Sequence, residues 1–129
     1  MIRFEQTFMN FLLQHQEKHN RTYHFLILMD AMISAARHIQ HYYLTGALKG
    51  NLGLAGDINV QGEDVMRMDQ ISEEITIHYL KTSGRVIHAV SEESEAIIPL
   101  NPDGGRYFVY FDPMDGSSNI PHGLPVGFL

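Results

Sequence analysis

A chain of 129 residues that is 44% hydrophobic and 19% charged can bury one ordinary core, and its formal net charge of −6 lacks the basic stripe that a nucleic-acid binder shows. It contains no cysteine, which excludes disulfides, thiolate nucleophiles and cysteine-based zinc sites and is compatible with a reducing cytosol. No signal-peptide pattern and no run approaching about 18 uninterrupted apolar residues is present, so a soluble cytoplasmic protein with no membrane partner is expected.

Phe4, Phe8, Phe11 and Leu12 recur at helical spacing and predict an amphipathic helix ending near Asn20. Phe25, Leu28, Met29, Met32, Ala36, Ile39 and Tyr43 form a second, longer stripe that runs out at Gly46 to Gly50. Both stripes read as core packing and need a partner: each other, a sheet or another subunit. Of the eight histidines, His15 and His19 superficially frame a helical zinc motif, but Gln16 holds the place where that chemistry needs glutamate. His38 and His41 lie one turn apart with no carboxylate pattern around them, and they read as solvated or half-buried helix side chains.

Gly50 to Asp57 is a glycine-rich connection, and residues 50–64 are expected to form a mobile loop. From Val65 to Leu80 the pattern is helical again, with Met68, Ile71, Ile75 and Tyr79 on one face. Asp69 and Glu73 share an edge one turn apart, and Glu73 and Glu74 read as a solvated acidic edge. Arg85 to Ser91 is a short strand rich in Val and Ile that ends in Glu92-Glu93. Ala96 to Leu100 is expected to pair with the later strand through the turn 101–105. That later strand, Tyr107 to Phe111, runs directly into Asp112-Pro113-Met114-Asp115-Gly116-Ser117-Ser118-Asn119.

Carboxylates at the carboxyl end of a strand sit where open α/β sheets collect ligands, and oxygen donors suit a hard cation such as Mg²⁺. Should the two strands be neighbours ending at one edge, Glu92, Glu93, Asp112 and Asp115 converge. Clustered carboxylates repel unless cations sit between them. Two adjacent acids at a strand end point apart, so one of Glu92 and Glu93 can reach a metal while the other acts on water. The Met114 carbonyl is a further candidate ligand. Gly116 permits a tight turn with exposed amides, and Ser117 and Ser118 add hydroxyl donors, which together make a phosphate cradle. Metal and phosphate in one octapeptide point to phosphoryl transfer to water.

Asp112 to Asn119 resembles the signature of the metal-dependent sugar and inositol phosphatases. Asn59-Val60-Gln61-Gly62-Glu63-Asp64, Met68-Asp69 and Ser91-Glu92-Glu93, in that order, narrow the resemblance to class I fructose-1,6-bisphosphatase over about Gly50 to Gly127. The resemblance implies an α/β fold, with amino-terminal helices packed on part of a mixed sheet. It implies that Glu92, Asp112, Asp115 and the Met114 carbonyl hold metal, Mg²⁺ with Mn²⁺ or Zn²⁺ as substitutes. Glu93, helped by Asp69, would orient and deprotonate the attacking water, and Glu63 would assist a further metal or the leaving water. Gly116, Ser117, Ser118 and Asn119 would hold the sugar 1-phosphate, and Arg106 with Tyr107 matches a pair that contacts the inhibitor AMP.

The glycine-rich turn that completes the AMP pocket is not matched, since Tyr23 and His24 stand where open backbone amides are needed. Pro121-His122-Gly123 also replaces the usual Asp after Asn119-Ile120. The implied reaction is hydrolysis of the 1-phosphate of fructose 1,6-bisphosphate, in gluconeogenesis or carbon fixation, by a homo-oligomer, commonly a tetramer. Because the family is more than twice as long, the chain is expected to be its amino-terminal portion: helical over 1–49, a loop over 50–64, and a helix with the site strands over 65–129. As an isolated piece it is expected to be inactive. The alternatives are a non-catalytic assembly module and an inositol-phosphate or nucleotide phosphatase.

Overall fold

The computed structural model describes residues 7–19, 23–48, 58–122 and 126–128, with the backbone alone at 16–19, 46–48, 58–66 and 120–122. Its elements are helices α1 (Phe8–His19), α2 (Tyr23–Leu48) and α3 (Ile58–Thr82), strands β1 (Val86–Ser91), β2 (Ile98–Pro99) and β3 (Tyr107–Phe111), and a 3₁₀ turn, Ser117–His122. Thr7 caps α1, its hydroxyl accepting from the Asn10 amide at 3.2 Å and its carbonyl from the Phe11 amide at 3.0 Å. α3 opens at Ile58, so residues 58–64 have a helical backbone where the sequence reading placed a loop. Gly62 is tolerated within a run that no proline interrupts. Residues 50–57 lie outside the described residues.

α2 buries Leu28, Ala31, Ala35 and Ile39, three or four residues apart, and α3 buries Met68, Ser72, Thr76 and Leu80 at intervals of four. The buried stripe of α3 is rotated by about one residue from the expected one, leaving Ile71, Ile75 and Tyr79 half-buried. α3 is covered on several sides, by α2, β1 and the 3₁₀ turn, and the face they enclose holds the small Ser72 and Thr76. Thr76 can sit buried there because its hydroxyl donates to the Ser72 carbonyl at 2.8 Å.

The strand order is β2-β1-β3, with β3 parallel and β2 antiparallel to β1. Leu28 of α2 and Leu80 of α3 cover one face, over Val86, Ala89, Val109 and Phe111. The expected mixed sheet is present, but residues 96–100 pair with β1 instead of the later strand. The Leu100 amide donates to the Ile87 carbonyl at 2.9 Å and the Asn101 amide to the Val86 carbonyl at 3.1 Å, which ends β2 against the start of β1. The chain then crosses beneath β1 and rises as β3 on its other side. Gly105 makes the crossing, where a Cβ would lie 2.5 Å from the Ile87 nitrogen.

Candidate active site at the sheet edge

Parallel pairing of β1 with β3, ending at Ser91 opposite Phe111, delivers both acidic junctions to one edge. The Glu92 amide donates to the Phe111 carbonyl at 3.1 Å and carries the pairing one residue into the first junction. In the second, Asp112 Oδ1 accepts from the Met114 amide at 2.9 Å, folding 112–114 into a side-chain-closed turn. Met114 is buried against Ile39 of α2 and Met68 of α3, so the residue between the two aspartates plugs the loop into the helices. Gly116 has a φ of 78°, a left-handed conformation that glycine adopts freely, and it turns the chain into the 3₁₀ segment. The Gly127 amide donates to the Asp115 carbonyl at 2.8 Å and braces the loop from below.

Glu92 and Asp112 meet carboxyl to carboxyl. Glu92 is raised above the usual carboxylate range, first by its hydrogen bond to Asp112, then by the Asp112 charge, by burial, and by Glu93 and Asp115. Asp69 of α3 faces the same cluster, and its pKa is pushed up to about 6. Burial is the largest cause and the Glu93 charge the next; a hydrogen bond from Ser117 works against them, and Asp112 adds to them. Asp69 Oδ1 is buried without a hydrogen-bond partner. A shallow hollow of about 390 Å³ opens beside the pair, lined by Val90, Ser91, Glu92, Tyr110, Phe111 and Asp112.

The sign of the Asp69 shift gives an expected result. Its folded pKa of about 6 lies above the unperturbed 3.8, so within that window the folded chain binds more protons than the unfolded one. Stability therefore falls as pH rises through the window, and the raised Glu92 acts in the same direction. In metal-free urea titrations the chain should be more stable at pH 5 than at pH 7. Asp69→Asn should flatten that slope and add about 1 kcal/mol at pH 7, after allowance for solvent screening. A slope that Asp69→Asn leaves unchanged would contradict this assignment.

The structure brings Glu92, Glu93, Asp112, Asp115, Asp69 and Ser117 to one region. Among the described residues, no three His, Asp or Glu side chains stand ready to hold one ion. The donors at hand are all oxygens, two carboxyls face each other where a cation can sit, and a third has an orphaned buried oxygen, which is the chemistry a hard cation accepts. The Met114 carbonyl accepts from the Ser117 amide at 3.1 Å and the Gly116 carbonyl from the Asn119 amide at 2.8 Å. Two amides of the expected cradle are thus used within the turn, and of the serines Ser118 is the exposed one. The Glu63 side chain lies outside the described residues. Arg106 and Tyr107 lie at the opposite end of the sheet, where Arg85 and Arg106 add to burial in lowering the pKa of His24.

Sequence reasoning quoted Ser91 without giving its hydroxyl a part, and missed Ser94 and the part played by Glu73. Ser91 is buried and its hydroxyl accepts from the Glu93 amide at 3.3 Å. Glu73, expected to be solvated, is half-buried and accepts from the Ser94 hydroxyl at 2.6 Å. Its position one turn after Asp69 was the available signal.

The structure defines an α/β protein whose helices cover one face of a mixed sheet and whose sheet edge carries an acidic cluster beside a serine turn. The family model for "Fructose-1-6-bisphosphatase, N-terminal domain" matches residues 6–129, and the chain belongs to that family. It is 72% identical over 128 residues to the class 1 fructose-1,6-bisphosphatase of Syntrophus aciditrophicus, covering 99% of this chain and 39% of that protein. It is 39% identical over 125 residues to the cytosolic fructose-1,6-bisphosphatase of Solanum tuberosum, covering 95% and 37%. The crystal structure of Leishmania major fructose-1,6-bisphosphatase in holo form superposes with a TM-score of 0.75 at 29% identity, over 96% of this chain and 36% of that one. The chain thus spans less than two fifths of the length of these relatives. Among the described residues no helix is long and apolar enough to cross a membrane.

Proposed function

We propose that this chain carries the cation and phosphate half of a hydrolase site that releases the 1-phosphate of fructose 1,6-bisphosphate as inorganic phosphate, leaving fructose 6-phosphate. The observation that supports it most is the carboxyl pair Glu92–Asp112, held together by two parallel strands with Asp115, Glu93 and Asp69 around it. Glu92, Asp112, Asp115 and the Met114 carbonyl would hold Mg²⁺. When bound, the cation supplies charge neutralisation for the phosphoryl group and makes water easier to deprotonate. Glu93 takes the proton from the attacking water, and Asp69, whose raised pKa suits a proton carrier near neutrality, assists it. Glu63 would assist a further metal or the leaving water. Gly116, Ser117, Ser118 and Asn119 bind the phosphate, the hydroxyls contributing most because two backbone amides are engaged. Arg106 and Tyr107 are the remnant of an effector site.

The setting is a cytoplasmic homo-oligomer in carbohydrate metabolism, and the isolated 129-residue chain turns over little or nothing. Calorimetric titration with inorganic phosphate tests the reading: heat is expected with Mg²⁺ present and none without it, and Ser118→Ala should weaken binding by roughly tenfold. Phosphate binding that ignores Mg²⁺ would sink the proposal. Efficient release of phosphate by the isolated chain would show that the further length found in the relatives is not needed for turnover. An assembly module is a second reading, favoured by the outer sheet face where Phe108 is 63% and Tyr110 76% exposed.

A further inference from the structure

We infer that the Glu73–Ser94 hydrogen bond is a latch holding the acidic turn 92–93 against helix α3, which makes Glu73 and Ser94 positioning residues for the carboxylate cluster. The inference rests on the cation-binding reading above. The bond is 2.6 Å long, half-buried, and joins residues 21 apart in the chain. A hydroxyl donating to a carboxylate at this length is among the stronger neutral-to-charged bonds. Its two ends lie beside the two halves of the site. Glu73 follows Asp69 by one helical turn on the same edge of α3, and Ser94 follows Glu92 and Glu93 directly.

The turn's other bonds lead elsewhere. The Glu92 amide is held by β3, while the Glu93 and Ser94 amides donate back to Ser91, at 3.3 Å each. Of these bonds the latch alone reaches α3. It is needed because the charges it brings together repel. Asp69 on the helix and Glu93 and Asp112 at the strand ends are carboxyls facing one another, and like charges repel when no cation lies between them. A bond one turn further along, between the Ser94 hydroxyl and the Glu73 carboxylate, opposes that repulsion without adding a ligand. Groups that orient ligands in this way commonly change metal affinity by 10- to 100-fold, about the range expected here.

The test uses the 129-residue chain and Mn²⁺ alone, titrated calorimetrically. Ser94→Ala and Glu73→Ala should each lower affinity roughly tenfold, and the double variant should lose no more than either, since both remove the same bond. Ser94→Thr keeps the donor and should stay within about twofold of the parent, while Glu73→Gln keeps a weaker, neutral acceptor and should lose about threefold, clearly less than Glu73→Ala. A Glu73→Gln loss as large as that of Glu73→Ala would trace the effect to charge and overturn the latch, as would additive losses. Hydrogen exchange without metal gives a second readout: Ser94→Ala should speed the Glu92 and Glu93 amides roughly tenfold while those of α3 keep their protection. If the parent chain takes up no Mn²⁺, the cation reading fails; unchanged exchange at Glu92 and Glu93 then defeats the latch separately.

Discussion

Asp112→Asn should lower the affinity of the chain for Mn²⁺ by at least roughly 100-fold while leaving the fold intact. Asp112 does two jobs, and the substitution separates them. Its Oδ1 accepts from the Met114 amide at 2.9 Å, and an asparagine carbonyl oxygen can do the same, so the turn and the buried Met114 plug stay in place. Its other role is to meet the Glu92 carboxyl. There the asparagine amide can donate to an ionised Glu92, but it brings no negative charge to a cation. Metal-free stability should therefore hold or rise slightly, because one source of repulsion against Glu92 and Asp69 is gone. Asp112→Ala, which loses the turn-closing acceptor as well, should lose both affinity and stability. Calorimetry with Mn²⁺ and urea denaturation of the same samples distinguish the cases. Unchanged metal affinity in the asparagine variant, with the fold intact, would favour the assembly module over the hydrolase.

Gly105→Ala should destabilise the chain by about 3 kcal/mol, at the upper end of what overpacking costs. The added Cβ would stand 2.5 Å from the Ile87 nitrogen, 2.7 Å from the Val86 carbonyl carbon and 2.8 Å from Ile87 Cγ1. Two of these three atoms belong to the backbone of β1, the central strand, and cannot rotate away. Moving β1 would strain the bonds from Leu100 to the Ile87 carbonyl and from Asn101 to the Val86 carbonyl. Moving the crossing would displace Arg106 and Tyr107, whose amides both donate to the Arg85 carbonyl, at 2.7 and 3.0 Å. Gly104→Ala is the control: nothing lies within 4 Å of its Cβ, and the change should be within about 0.5 kcal/mol of neutral. Equal stability of the two variants by urea denaturation would show that the crossing accommodates a Cβ.

Much of the fold was legible because it follows from periodicity. The stripe from Phe25 to Tyr43 became α2, and the apolar run Tyr107 to Phe111 became β3 between the same residues. The partner of 96–100 was not legible, because a two-residue strand carries no pattern that distinguishes one neighbour from another. The rotation of the α3 stripe was also hidden. Ser72 and Thr76 are polar by type, and only the packed structure, which buries both, makes small size matter more than hydrophobicity. At the site, the acids were legible as residue types at strand ends. Glu73 was not, since an exposed glutamate and a latched one look alike until Ser94 is placed beside it.

By itself the sequence determined the chemistry available: two acidic junctions after apolar runs, a Gly-Ser-Ser turn, and oxygen donors with no cysteine to compete. These depend on local order along the chain, which folding does not alter. Only the tertiary structure decided that the junctions share an edge. That follows from β3 running parallel to β1, and the parallel direction depends on the chain slipping past the backbone of β1 at a residue with no side chain. Whether charges cooperate or repel is set by distances across the fold, between residues far apart in sequence, and for that reason the pairing of Glu92 with Asp112 belongs to the packed structure.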